Sequence, residues 1–261
     1  MEILVCARRV PDTSENEIEL NSAGNDIERD DLVYSVNEPD NYAVEEALEI
    51  VERAGGTVTV VTVGGDDEEE ILRREMAMGA KQGVLLSDDA FIGSDGRGIA
   101  TILAAFVKKG HYDLILTGVQ ADDGAAQVGG MLAAMLDYPF ASLVNSIEVQ
   151  HGSLKISREI EGGNKEMNEI DLPCVLSIQT GINEPRYVGM RGIRQVASIP
   201  IPTFGAPELG VNGAAGAGAA KVKRVDYFMP PLGKGAEMLE GSTEEIVGQL
   251  IELLKAKGGL N

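Results

Sequence analysis

Val58-Thr59-Val60-Val61-Thr62-Val63 is followed by Gly64-Gly65, a helical pattern over Glu68 to Met78, and then Gly83-Val84-Leu85-Leu86; this stretch decides the fold. Apolar β-type runs without polar alternation are strands covered on both faces. A helix of ten or so residues between two of them is a right-handed crossover joining parallel strands. The same grammar extends outward. Ile3-Leu4-Val5-Cys6-Ala7 and Leu114-Ile115-Leu116-Thr117 read as further buried strands. Ala43, Ala47, Leu48, Ile50 and Val51 mark one helix face, with Glu45, Glu46, Glu49 and Glu52 assigned to its solvated face. Ile99 to Val107 and Val128 to Leu136 repeat the pattern. Strand-helix alternation of this kind predicts a doubly wound, mostly parallel α/β sheet.

From Ser142 onward the texture changes. Leu143 to Val149 and Leu154 to Ile160 flank His151-Gly152 as a β-hairpin extension, and Cys174 to Ile178 is another strand. Thr203 to Ala220 falls to Gly, Ala and Pro, too little side-chain area for a core, and reads as a linker. Ser242-Thr243-Glu244-Glu245 is a capping box that opens a terminal helix through Ile246, Leu250, Ile251 and Leu254. The predicted organisation is an α/β domain over 1–202, then a linker and a C-terminal helical arm over 203–261 that must dock back on the domain or onto another chain, the length of the linker favouring a partner.

Composition narrows the function. The 261 residues are 44% hydrophobic, enough for a core without staples. A net charge of −20 repels phosphate backbones and anionic lipid, so nucleic acid is not expected as a partner. The two cysteines, Cys6 and Cys174, each sit in an apolar run as reduced core thiols. No apolar stretch is long enough to span a bilayer, and the strand at Met1 to Val10 shows no targeting pattern; a cytoplasmic protein is expected. His111 and His151 have no metal-ligand spacing, no Gly-x-Ser-x-Gly elbow occurs, and the acidic runs sit at helix starts as caps.

The chemistry gathers at strand ends. After Thr117-Gly118 come Val119 to Gly124, and a helix opens near Ala125 to Gly129. Parallel sheets bind ligands at the carboxyl ends of their strands, and a helix amino end suits a phosphate. A plain strand-to-helix turn satisfies the same pattern. Val63-Gly64-Gly65 and Cys6-Ala7-Arg8-Arg9 end two more strands, and Asn37-Glu38-Pro39-Asp40 opens a helix where Asn37 can bond backbone or a base edge. Together they outline an adenine-nucleotide crevice of Rossmann-like type. Neither a Gly-x-Gly-x-x-Gly fingerprint nor a phosphate-loop lysine is present. Farther on, Asn183-Glu184-Pro185-Arg186-Tyr187-Val188-Gly189-Met190-Arg191-Gly192-Ile193-Arg194 sets Met190 among arginines, either as a docking surface or as a core methionine.

At these residues the sequence resembles the beta subunit of electron transfer flavoproteins. The resemblance rests on Val5 to Asp12, Asn37 with Ala43 to Ala47, Ala77 to Ala80, Gln120-Ala121 and Ala126 to Gly129. More specific are Arg158-Glu159-Ile160-Glu161-Gly162-Gly163, Leu172-Pro173 and Asn183 to Tyr187. It implies a non-catalytic electron carrier, heterodimeric with an alpha subunit, that shares FAD with that subunit. Its own crevice would hold AMP or, in electron-bifurcating members, a second FAD. By position, Cys6, Ala7, Asn37, Asp40, Val63, Gly118, Asp123, Gly124, Ala126, Gln127 and Val128 would line that crevice. Tyr187, Met190, Arg191, Ile193 and Arg194, in a recognition loop over 183–195, would dock a partner.

The implied route runs from an acyl-CoA-type dehydrogenase through FAD to a membrane-bound quinone oxidoreductase. A bifurcating subunit that takes hydride from NADH, and a stand-alone adenine-nucleotide-binding regulatory protein, are the alternatives. The 118–127 loop is one residue shorter than the family's common form, Asn37 is followed by Glu38-Pro39, and Asn168 stands at a usually aliphatic position. The first two leave AMP and a second FAD both open.

Overall fold

The computed structural model describes residues 1–121, 124–231, 233, 235–236 and 238–259. In chain order the strands and helices are β1 (Glu2–Cys6), β2 (Arg9–Pro11), β3 (Tyr34–Val36), α1 (Glu38–Ala54), β4 (Thr57–Val63), α2 (Glu69–Met78) and β5 (Gln82–Leu86). Next come α3 (Gly96–Val107), β6 (Leu114–Gly118), α4 (Val128–Leu136), β7 (Phe140–Val149), β8 (Ser153–Ile160) and β9 (Asn164–Asp171). The remainder are β10 (Cys174–Ile178), α5 (Met190–Val196), β11 (Thr203–Phe204), α6 (Ala206–Leu209) and α7 (Thr243–Ala256). The main sheet has the order β11-β5-β4-β1-β6-β10-β7-β8-β9. Its strands are parallel from β11 to β7, and β8 and β9 continue it antiparallel.

Alternation along the central strands explains both layers. Ile3, Val5, Leu114 and Leu116 face α1 and α2, while Leu4 and Ile115 face the α3–α4 side, and all six are fully buried. Successive side chains of a strand point to opposite faces, so a continuous apolar run is what two helix layers require. The chain steps from β1 through β4 to β5 on one side, then returns through α3 to β6 on the other side of β1. That reversal leaves a crevice at the carboxyl ends of the central strands.

Three features depart from the sequence reading. First, Thr203 to Ala220 is not a linker: Thr203-Phe204 adds a strand beside β5, and Ala206, Leu209, Val211 and Ala215 are buried against α3. The small residues are there because backbones meet. Gly216 (φ +82°) lies so close to Ala90 O that a methyl group would overlap it, and Gly216 N–H donates to Ser94 Oγ at 2.8 Å. The compact α/β unit accordingly comprises Met1–Ile18 and Arg29–Val225 rather than ending at 202. Second, Glu45 and Glu46 do not lie on the solvated face of α1; both are buried and paired with residues 183–186 and Arg53. Third, the hairpin gains a third strand, β9, with a full ladder to β8. Its charged, exposed residues carry no apolar alternation, so nothing in the pattern marks it.

The second compact unit comprises Glu19–Glu28 and Asp226–Asn261. In it Leu20 bridges Ile27, and Ser242 with Glu245 forms the expected capping box at α7. Val247, Leu250 and Leu254 of α7 are exposed.

Glu75 of α2 is fully buried, and neither carboxylate oxygen has a hydrogen-bond partner among the described residues. Burial pushes it from an ordinary 4.5 up to about 8; Arg74 opposes the shift, and Asp40 and Glu45 reinforce it. The unfolded chain releases this proton near its ordinary value while the folded chain keeps it. Stability therefore falls as pH rises between the two values, by up to roughly 1.4 kcal/mol per pH unit. Glu75→Met removes this slope and is more stable than the parent at pH 8 by roughly 1–4 kcal/mol. Urea melts at pH 5 and pH 8 check this; parallel pH dependence in the two proteins would contradict it.

Candidate nucleotide crevice and docking segment

A cavity of about 1100 Å³ opens at the carboxyl ends of β1, β4 and β6. Its wall includes Cys6, Ala7, Asn37, Asp40, Val63, Gly118, Gly124, Ala126, Gln127 and Val128. Every residue expected there is thus brought together except Asp123, which lies outside the described residues, as does Asp122.

Asp40, in the first turn of α1, joins the two central strand ends. Its Oδ2 accepts the Arg8 N–H at 2.9 Å and its Oδ1 accepts the Gly118 N–H at 2.8 Å. Burial pushes the carboxyl up to about 7 against the pull of these two N–H groups and of Asn37. Beside it, Asn37 N–H donates to Arg8 O at 2.8 Å and Asn37 Nδ2 donates to Gln120 O at 3.0 Å. Asn37 is 1% exposed, and its Oδ1 has no partner among the described residues. Buried polar atoms are nearly always satisfied, so a lone acceptor on a cavity wall is an opening for a ligand N–H such as a purine amine. Burial, with the Asp40 charge, pushes the Cys6 thiol up; it stays protonated and serves as lining.

Besides the amino end of α1, those of α3 and α4 meet at the crevice, and these two differ. That of α3 is occupied: Asp95 Oδ1 accepts the Gly98 N–H at 2.9 Å, and Oδ2 accepts the Lys221 and Val222 N–H groups. That of α4 has no side-chain cap at Gln127. Among the described residues no side chain caps its first N–H groups, the arrangement that suits an anion. The preceding Ala126 sits at φ +52°, a left-handed conformation uncommon without glycine and characteristic of functional loops. Gly129 lets α4 approach the sheet, since a methyl there would overlap Ser177 Oγ. These features fit an adenylate: an acceptor for the base and an uncapped helix for the phosphate.

Sequence reasoning missed one wall. Lys221, Lys223 and Arg224 line the crevice together with Arg8, Arg9 and Arg29. Arg9 also stacks over the Tyr34 ring at 3.8 Å. The signal was present as Lys221-Val222-Lys223-Arg224, a basic run in a strongly acidic chain, but the neighbouring Gly/Ala stretch hid it.

The residues expected to dock a partner lie elsewhere. Asn183 Nδ2 donates to Tyr42 O at 3.1 Å, and Arg186 pairs with Glu45 and Glu52, each at 2.8 Å. Beyond this corner Tyr187 is 93% and Met190 65% exposed, Arg191 and Arg194 are exposed, and Ile193 is half-buried. Met190 is therefore a surface residue and not a core one. Among the described residues no cluster of His, Cys, Asp or Glu suits a metal ion, and no helix is long and apolar enough to cross a membrane.

Asp40→Asn offers one acceptor where two N–H donors converge, leaving a buried donor unpaired. A loss of about 1–3 kcal/mol in chemical denaturation is expected. An unchanged midpoint would show that Asp40 does not hold the strand ends together.

A family profile described as "Electron transfer flavoprotein domain" matches residues 25–209. The chain is 36% identical over 259 residues to the electron transfer flavoprotein subunit beta of Methylophilus methylotrophus, covering 97% of this chain and 98% of that protein. It is 37% identical over 262 residues to the caffeyl-CoA reductase-Etf complex subunit CarD of Acetobacterium woodii, covering 98% and 99%. Against the subunit beta of Bacillus subtilis it is 32% identical over 259 residues, covering 98% of each. With a nucleotide-type crevice at the switch of a doubly wound sheet and relatives matched nearly end to end, the chain belongs to the electron transfer flavoprotein family, as a beta subunit.

Proposed function

We propose that this chain is the beta subunit of a carrier-type electron transfer flavoprotein whose crevice holds AMP. Beta subunits of this family pair with an alpha subunit and carry electrons. In this reading the alpha partner holds the redox-active FAD at the subunit boundary, and the flavin supplies the one- and two-electron chemistry. The beta chain binds the structural adenylate, forms part of the flavin wall and presents Tyr187, Met190, Arg191, Ile193 and Arg194 to an acyl-CoA-type dehydrogenase. Electrons leave to a membrane-bound quinone oxidoreductase. The observation that carries the reading is that, among the described residues, a buried Asn37 Oδ1 without a partner and an α4 amino end without a side-chain cap share one crevice.

A second reading draws on the basic wall. Lys221, Lys223 and Arg224 add cations beyond what one phosphate requires, and one relative is named as a subunit of a caffeyl-CoA reductase-Etf complex. A second FAD in the crevice, with NADH as donor, fits those cations.

Nucleotides extracted from the purified heterodimer separate these readings. One FAD and one AMP per heterodimer is expected, and two FAD without AMP would overturn the carrier reading in favour of the second. Met190→Ala is expected to lower the rate of electron transfer from the dehydrogenase by about tenfold while leaving the extracted nucleotides unchanged. An unaltered rate would remove Met190 from the docking surface.

A further inference from the structure

The docking segment is pinned at both ends by guanidinium groups that bind no nucleotide. At its start Arg186 is held by Glu45, which also accepts the Arg186 backbone N–H at 3.0 Å, and by Glu52. At its end Arg73, on α2, donates from one Nη to Val196 O at 2.6 Å and to Ile199 O at 2.5 Å. These are carbonyls at and just past the carboxyl end of α5, where partners within the helix run out; Val196 O also accepts the Ile199 N–H at 3.0 Å. The other side of the Arg73 fork is fixed by Glu69 Oε1, at 3.0 Å from Nε and 2.7 Å from the second Nη. Between the pins α5 lies on α2 with Gly192 against Ala77, where a methyl at 192 would stand 3.3 Å from Ala77 O. Tyr187 and Met190 lie on this span and point outward.

We propose that Arg73 is a positioning residue for docking: it holds residues 187–199 in the shape the partner binds, before the partner arrives. The inference rests on the reading of this segment as the docking surface. A seven-residue helix is too short to persist alone in water. Without the pin at its carboxyl end, α5 frays and the segment must be ordered at each encounter. Ordering a segment at the moment of binding weakens association, and ordering it beforehand removes that cost. A charged donor with two carbonyl acceptors is the strong form of such a pin. Arg73 is not among the residues that line the crevice, so its effect is on encounter affinity and not on nucleotide content.

The test uses the complete heterodimer with Arg73→Gln, and Arg73→Lys as the conservative variant, with an acyl-CoA dehydrogenase as electron donor. Hydrogen exchange over residues 187–199 is expected to quicken by about tenfold in Arg73→Gln, with the sheet unchanged. The KM for the heterodimer is expected to rise by about tenfold with kcat within roughly twofold of the parent. Arg73→Lys keeps the charge but loses the fork to Glu69, and falls between the two. Met190→Ala is run alongside. If Met190→Ala raises KM and Arg73→Gln does not, the pin is overturned while the docking surface stands. If neither raises KM, the docking reading itself fails and the inference falls with it. Unchanged exchange over 187–199 in Arg73→Gln overturns the inference whatever the kinetics.

Discussion

A single carboxylate connects the halves of the crevice. Asp40 receives the backbone N–H of Arg8 beyond the end of β1 and that of Gly118 at the end of β6. These strands are neighbours from opposite sides of the point where the chain reverses across the sheet. Strands at such a reversal part at their carboxyl ends, because their connections leave to opposite layers. Asp40 closes that parting with two charge-assisted bonds and seats the amino end of α1 in the gap. Asn37 follows from this placement, since its N–H is bonded to Arg8 O one turn before Asp40. Carbonyl and amide groups that would otherwise crowd the crevice floor are satisfied internally. Among the described residues of the wall, Asn37 Oδ1 and Arg9 Nε are left without partners, and no side chain of Gln127 caps the amino end of α4.

The same economy governs the surface proposed to meet other proteins. Glu45 and Glu46 on α1 face the 183–186 corner and not solvent, so one helix secures the crevice at its first turn and the proposed docking segment farther along. Buried carboxylates need partners, and Arg186 and Asn183 supply them. A chain of net charge −20 thus keeps two local cationic regions, the basic crevice wall and the Arg191–Arg194 rim, each where an anionic or acidic ligand is expected.

The parallel core was legible because Val58 to Val63 and Leu114 to Thr117 carry their burial in composition alone: apolar on both faces, they have no other stable place. The crevice was legible as a set of strand ends, since ligand sites follow topology, and topology follows the strand-helix alternation. Three things were not legible. β9 is an exposed strand whose register comes from pairing with β8, a long-range bond pattern that leaves no periodicity. Residues 203–220 looked like a linker because small side chains signal flexibility and close backbone contact with the same letters; Gly216 against Ala90 O is the second case. Glu45 and Glu46 fit a polar stripe, and only the return of Arg186 from 141 residues away turns that stripe inward.

In the function proposed above, the crevice built around Asp40 holds an adenylate. The crystal structure of the heterodimer with the nucleotide it retains through purification tests this most directly. A purine amine within hydrogen-bond distance of Asn37 Oδ1 and a phosphate against the amino end of α4 are expected. A nucleotide bound elsewhere on the chain, with Asn37 Oδ1 satisfied by protein alone, would contradict it.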